Sequence, residues 1–355
     1  MAKMKTIFDM VVSSELAAYW TERTKDLNAD FGEELFPMQK HLGLKMEYIK
    51  GAGGIPVVIN QSAFDANSTY RERIGMELVE AQMPYFKESM NINEVMRQQL
   101  NIMLETGNQS LIDSVLTKIF DDETTLLYAA KMQRERMRMM MLTTGVIDIT
   151  SNGQNFNFDY GMPAENKVTV TKSWSDPAAT IIDDIHAWMD DIEDREGIRP
   201  SRAVCSRKTI NYIMKNDAVR KNIHVMTGGV GPITTDKVID YIFDQTGLEI
   251  FVYTARYAVK DPSNPKNKLM KKYIPDDIFV MFPEGNLGYT HMGTTPAESD
   301  LMTSKVANVS IVDTGVAITT VQKADPVNVD TIVSMICLPS FEQANYVMIA
   351  DVIAE

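Results

Sequence analysis

The sequence predicts an α+β chain of more than one domain, laid around a single long helix. Three observations carry that expectation. Residues 110–142, SLIDSVLTKIFDDETTLLYAAKMQRERMRMMML, contain neither proline nor glycine. Within them Ile112, Val115, Ile119, Leu126, Ala130, Met137 and Met141 recur at helical spacing, one apolar stripe on one face. From Arg199 onward strand-like and helix-like runs alternate, the pattern of an α/β block. A chain of 355 residues is long enough for two cores.

The helix justifies its central place by length. At 1.5 Å per residue it spans about 50 Å, the width of a mid-sized domain. Ser110 with Asp113 forms an N-terminal capping pair, and Gly145 stands where the backbone turns left-handed. The plain alternative is an ordinary core helix; the sharper one is a spine for flanking sheets.

Composition narrows the function classes. A net charge of −13 argues against wrapping nucleic acid, which needs clustered Lys and Arg. It suits a wall past which nucleic acid slides without sticking. Two cysteines, Cys205 and Cys337, indicate a reducing compartment without a disulfide framework. Asp9 interrupts the apolar run of residues 1–14, so no signal peptide is expected, and no run is long enough to cross a bilayer.

The first fifty residues read as an arm. A short helix, Ser13–Arg23, carries Leu16, Ala17, Tyr19 and Trp20, and breaks follow at Gly32, Pro37 and Gly43. Trp20, Phe31, Phe36 and Tyr48 are costly to leave in water, so they call for a surface in this subunit or the next. Residues 51–92 read as a long two-stranded hairpin. GAGG is hinge-like, Ile55–Ile59 is strand-like, the tip falls near Asp65–Arg71, and the return limb places Phe86, Met90 and Ile92 on one face. Such a hairpin is marginal alone. Its charges (Arg71, Glu72, Arg73, Glu77, Glu80) ask for a neighbouring surface; the alternative is a solvated loop.

Asn93–Thr106 is a short amphipathic helix feeding the long one, and Val146–Thr171 offers two or three strands with turns at Asn152-Gly153 and Gly161. WSDP (174–177) marks a boundary, after which Pro177 opens a helix. Ile181, Ile182, Ile185, Trp188, Met189 and Ile192 lie on one side of it. Asp183, Asp184, Asp190, Asp191, Glu193 and Asp194 lie on the other, read as a solvated face rather than a cation site. A strand (Arg202–Cys205), a helix (Ser206–Asn216), a glycine-rich loop (228–232), a helix (Thr235–Gln245), a strand (Glu249–Thr254), a polar loop (Asp261–Lys268) and a strand (Ile278–Phe282) follow. The tail, 306–355, has strand-like runs that complete a sheet beside the long helix.

The residues show no catalytic, cofactor-binding or metal-binding constellation. There is no Gly-x-x-x-x-Gly-Lys loop, Gly-x-Ser-x-Gly elbow or His-Glu-x-x-His. The four histidines lack ligand spacing, and Cys205 reads as a buried small hydrophobe.

Several stretches resemble one family. They are LFPMQKHLGLKMEYIKGAGGIPVVINQSAFDA (35–66), RERIGMELVEAQMPYFKESM (71–90), ERMRMMMLTTG (135–145), WSDP (174–177), RPSRAVCSRKTINYI (199–213) and MFPEGNLGYTHMGTTPAE (281–298). Together and in this order they are similar to the lambda-type major capsid protein E family of tailed phages. The resemblance implies the Hong Kong 97-type capsid fold. Its parts would be an N-terminal arm (1–50), an extended loop (51–92), a peripheral domain with spine helix (93–175), an axial α/β domain (176–305) and a return to the peripheral domain (306–355).

The resemblance further implies a structural protein and not an enzyme. Its copies would assemble as hexamers and pentamers into an icosahedral head around double-stranded DNA, without sequence-specific binding and without a membrane. A cellular nanocompartment shell of the same fold is the alternative reading. Intersubunit contacts are expected from the arm and extended loop, at Trp20, Phe36, Arg71, Arg73, Glu77 and Glu80. The implied partners are further copies of itself, a portal protein, a separate scaffolding protein and, as an option, a decoration protein. Location would be the host cytoplasm during assembly and then the virion. Residues 51–86 hold no lysine, so no autocatalytic cross-link is expected, because arginine stays protonated and is a poor nucleophile. The arm-like sequence begins almost at once, hence the expectation that scaffolding is a separate chain.

Overall fold

The computed structural model describes residues 11–25, 30–50, 77–92, 94–106, 109–151, 153–227, 231–261, 264, 267–303, 307–325 and 327–354. In chain order, helices α1 (Ser13–Thr24) and α2 (Phe31–Leu35) precede strands β1 (Met38–Lys40), β2 (Lys45–Lys50), β3 (Glu77–Gln82) and β4 (Tyr85–Ile92). Next come α3 (Glu94–Thr106), α4 (Gln109–Thr144), β5 (Val146–Ser151), β6 (Gln154–Asp159) and β7 (Lys167–Thr169). The middle of the chain supplies α5 (Ile181–Glu196), β8 (Arg202–Cys205), α6 (Arg207–Lys215), α7 (Asp217–Thr227) and α8 (Thr235–Thr246). It continues with β9 (Glu249–Val252), β10 (Arg256–Lys260), β11 (Lys268–Lys272) and β12 (Ile278–Phe282). The last elements are β13 (Thr290–Met292), β14 (Asn308–Val312), β15 (Val316–Ala324), β16 (Val327–Pro339) and β17 (Met348–Asp351).

The long helix is present and runs slightly beyond the expected bounds at both ends. Gly145 closes it at φ +72°, its N–H donating to the Met141 carbonyl at 2.8 Å. A Cβ added at Gly145 would meet Met162 Cβ and the end of Lys167 at 3.3 Å, so both the turn and the space favour glycine. The expected stripe is buried at Ile119, Leu126, Ala130, Met137 and Met141, but Leu127, Met139 and Leu142 are buried as well. Toward its C-terminus the helix is therefore enclosed on several sides, and Arg134, Glu135 and Arg138 are buried there along with the methionines.

The chain divides into two compact units. The first comprises the chain to Glu47, Glu80–Glu135 and Tyr289–Ser340. Its sheet has the order β1-β13-β16-β15-β14, with β4 on the other side of β16. β4 pairs antiparallel along β16 from Tyr85 opposite Ile336 to Ile92 opposite Val329. This corrects the reading of 73–92 as one hairpin limb. The limb breaks at Met83-Pro84, because proline cannot donate to a ladder. β3 then pairs with β2 as a two-stranded ribbon, while Phe86, Met90 and Ile92 belong to a strand of the sheet.

The second unit comprises Tyr48–Val79, Arg136–Gly288 and Phe341–Glu355. Its five-stranded sheet has the order β7-β17-β12-β8-β9. β12 lies antiparallel to both β8 and β17, and the outer pairs β8–β9 and β17–β7 are parallel. The core packs Ile181, Ile185, Met189 and Ile192 of α5, Ile210 and Ile213 of α6, and Val238 and Ile242 of α8 with Ala203, Cys205, Phe279 and Met281 of the sheet. Ser206 caps α6 by accepting from the N–H of Lys208 and Thr209.

Four further differences from expectation stand out. The tail splits, β14–β16 joining the first unit's sheet and β17 the second's. The helix expected from Pro177 begins at Ile181, since Asp176 accepts from the Ala178 N–H and holds a turn there. Helix α7 and the hairpin β10–β11 had no counterpart in the sequence reading. The hairpin strands flank the expected polar loop. Residues 51–76, with the hinge, the expected strand at 55–59 and the hairpin tip, lie outside the described residues, as do 228–230 of the glycine-rich loop.

Candidate functional site

Helix α1 lies on its own subunit. Leu16 and Trp20 are buried, Trp20 at 2% exposure. The Trp20 indole Nε1–H donates to Asp313 Oδ1 at 3.1 Å, and its ring meets Tyr128 edge-on at 4.7 Å. Asp313 sits at φ +45° in the turn between β14 and β15, a position tolerated by Asp. Its other oxygen accepts from Arg134 Nη2 at 2.8 Å, so one carboxylate ties α1, the turn and α4 together. Outside this contact, Tyr19 Oη and Arg23 Nη1 both donate to Asp121 Oδ1. The proton on Tyr19 is held more tightly than usual, chiefly because it donates to that carboxylate.

Phe36 is also fully buried in its own subunit. Thr290 anchors the backbone beside it, its Oγ1 donating to the Phe36 carbonyl and its N–H to the Pro37 carbonyl. β1 then runs parallel to β13 from Met38 opposite Thr290. Trp20 and Phe36, expected at subunit contacts, are both buried against their own subunit.

The ribbon β2–β3 behaves differently. β2 alternates, with Met46 and Tyr48 buried and Lys45, Glu47 and Ile49 exposed. Glu80 of β3 is exposed and meets exposed Lys45 across the ribbon at 3.4 Å. Glu77 opens β3. Arg71 and Arg73 lie outside the described residues. Among the described residues, the expected contact residues are not joined to one another; Glu80 meets Lys45 instead.

Buried titratable groups are present but isolated. Glu123 Oε1 accepts from Thr331 Oγ1 at 2.9 Å, and burial pushes its pKa up to about 7. His291 packs edge-on to His41 at 5.7 Å, and burial lowers its pKa to about 4. Cys205 is fully buried and its thiol is pushed up to about 12, which leaves it an inert packing residue. The acidic face of α5 is partly matched: Asp190 and Glu193 pair with Arg199, Asp191 with Arg195, and Asp184 accepts from Trp174 Nε1. Among the described residues no three His, Cys, Asp or Glu side chains converge as metal ligands, and no helix is long and apolar enough to cross a membrane.

The sequence reading missed a set of large apolar side chains left in solvent. In the first unit these include Leu42, Leu44, Val95 and Ile102; in the second, Val225, Met226, Phe243, Phe251, Leu269 and Met270. Their local sequences carry the helical or strand pattern of ordinary elements, so only the fold tells that these faces stay uncovered.

A family model described as phage major capsid protein E matches residues 13–352. A putative capsid protein of a prophage of Escherichia coli CFT073 has a similar structure, with TM-score 0.58 and 15% identity, covering 96% of this chain and 99% of that one. A phage-related protein from Bordetella bronchiseptica RB50 has TM-score 0.56 and 14% identity, covering 96% and 97%. The capsid protein in the asymmetric unit of cyanophage A-1(L) has TM-score 0.51 and 12% identity, covering 91% and 92%. No curated protein sequence matches the chain. The fold is that of phage capsid proteins of the Hong Kong 97 type.

Proposed function

Since the chain belongs to the phage major capsid protein E family, we propose that its copies assemble as hexamers and pentamers into the icosahedral head of a bacteriophage. The observation that carries this reading is the family match over residues 13–352. The double-stranded genome is enclosed without sequence-specific contact, in keeping with a net charge of −13. In this proposal the chain works by geometry and not by catalysis, in keeping with its family. A separate scaffolding protein and a portal protein are its partners in the host cytoplasm, with room for a decoration protein on the finished virion.

The extended loop carries the intersubunit charges in this proposal. Glu77 and Glu80 stand on the limb that leads from it, and Arg71 and Arg73 lie just before that limb in sequence. A desolvated interfacial pair with one member reversed loses on the order of 2–5 kcal/mol. Repeated at every contact of a shell, that loss is decisive.

Negative-stain micrographs of the purified protein, expressed with and without the neighbouring genes, test the function. Shells, tubes or sheets built from the chain are expected; a sharp monomeric peak with no assembled form under any condition sinks the reading. Arg71→Glu with Arg73→Glu should leave circular dichroism and melting of the subunit unchanged while assembly fails or becomes salt-dependent. Heads at normal yield would reduce the loop charges to a solvated edge. Mature heads boiled in detergent should release one band at the monomer mass, and a ladder would contradict the absence of a cross-link.

A further inference from the structure

The hairpin β10–β11 is basic in an acidic chain. Residues 256–272, RYAVKDPSNPKNKLMKK, hold six basic side chains against one acidic, Asp261. The register pairs Arg256 with Lys272, Ala258 with Met270 and Lys260 with Lys268. Strand periodicity puts the six residues of these three pairs on one face, so four cations frame Ala258 and Met270, of which Lys272 also meets Asp276 at 2.6 Å. Every one of the six is exposed, Met270 at 63%. Like charges directly opposite one another destabilise a ladder, and a two-stranded hairpin has little stability to spare. The other face is anchored at Tyr257, whose ring lies 5.0 Å from that of Tyr273 and under the Arg136 guanidinium at 5.4 Å. The cationic face therefore points away from its own anchor.

Helix α8 carries the converse pattern. Asp236, Asp240 and Asp244 recur every fourth residue, all exposed, and Phe243 on the same side is 53% exposed. Like charges at this spacing repel along a helix. Among the described residues none of the three carboxylates makes an ion pair; the one lysine on the helix, Lys237, donates instead to the Pro232 carbonyl. An apolar centre rimmed by cations thus has a counterpart in an aromatic side chain rimmed by carboxylates, on the same unit of the same chain.

We infer that the β10–β11 hairpin of one copy docks on the α8 face of the next copy, Met270 against Phe243, with the lysines and arginine against the aspartates. The inference rests on the proposed shell-forming function and specifies one of its contacts. Such a contact joins two different patches, and head-to-tail contacts close into rings when the rotation allows, as hexamers and pentamers require. It relieves the repulsion on both elements at once. The exposed Met270 favours protein over DNA, whose phosphates need only cations.

Charge swapping tests the pairing. The hairpin variant Arg256→Glu with Lys268→Glu and the helix variant Asp240→Lys with Asp244→Lys should each lower the yield of sedimenting shells by about tenfold or more. The chain carrying all four changes should return to near the wild-type yield, and mixing the two double variants should restore association by alternation. Normal yield from either double variant overturns the inference. So does a hairpin variant that forms normal shells but no longer retains DNA, since the hairpin would then be a nucleic-acid contact. A wild-type chain that forms no assembly in the same experiment refutes the shell-forming function itself. If a reversed chain loses its native circular dichroism, the neutral pair Arg256→Gln with Lys268→Gln carries the test; undiminished shell yield from it overturns the inference.

Discussion

In the second unit several buried polar side chains are matched, while Arg136 Nε and Ser201 Oγ, which do not titrate near neutral pH, make no hydrogen bond. Asn166 Nδ2 donates to the Asn345 and Val347 carbonyls, Asn216 Nδ2 to the Ala179 carbonyl, and Ser206 caps a helix. They sit around a continuous apolar core. In the first unit several buried polar atoms find no protein partner: Glu123 Oε2, both ring nitrogens of His291, the hydroxyls of Thr319 and Thr320, and Asn328 Oδ1. The difference is one of design margin. A matched polar group fixes geometry without making stability depend on pH, whereas an unmatched ionisable group makes the fold answer to its protonation. The second unit should therefore respond to packing and the first to pH.

The largest expected effect breaks the apolar core. Phe279 is fully buried, 5.3 Å from the Trp174 ring. Phe279→Ala should cost about 3–5 kcal/mol by lost transfer energy and a cavity. Urea denaturation at pH 5 and pH 8 should give the same loss; a strongly pH-dependent loss would erase the contrast between the units.

Next comes Glu123. Burial raises its folded pKa to about 7 from the ordinary 4.5, so the folded chain holds the proton more tightly. Stability is then full below pH 4.5 and falls as pH rises toward 7, where the carboxylate must ionise while buried. Glu123→Gln keeps a group able to accept from Thr331 and removes the charge. It should raise stability by up to about 3 kcal/mol at pH 8, with little gain at pH 4. Equal melting of the two chains at pH 8 would show that Glu123 is solvated.

His291 acts in the opposite direction. Burial lowers its pKa from 6.5 to about 4, so the unfolded chain takes up the proton first as pH falls. Its contribution is present above pH 6.5 and is lost progressively down to pH 4. Relative to His291→Phe, the natural chain should lose about 2 kcal/mol between pH 7 and pH 5. Parallel pH profiles for the two chains would remove His291 from the account.

The smallest effect is at the surface. Lys45 and Glu80 are both exposed, and Lys45→Ala should change subunit stability by about 1 kcal/mol or less. A larger change in melting would mean that the ribbon, and not the two cores, limits stability.

Much of the candidate contact surface was hidden from sequence reasoning for identifiable reasons. Trp20 was legible as an aromatic in need of a surface, but Asp313 and Tyr128, which provide it, lie far along the chain and carry no local signal. The hairpin β10–β11 escaped because all five residues of β11 are exposed, which leaves no apolar alternation to read. Tyr85–Ile92 was legible as extended, yet nothing in it names β16 as its neighbour.

The sequence by itself determined what depends on neighbours within a few residues. It set the long helix, through an apolar period without breakers, and its end at Gly145. It set the strand Ile278–Phe282, which the structure reproduces with the same bounds. Only the tertiary structure decided which extended segments pair, that the tail divides between two sheets, and that Trp20 and Phe36 are covered by their own subunit. The physical reason is range. Periodicity, capping and turn chemistry act over one or two turns of backbone. Strand partners and burial, by contrast, are chosen by the whole chain's competition to remove apolar surface from water, between residues separated by hundreds of positions.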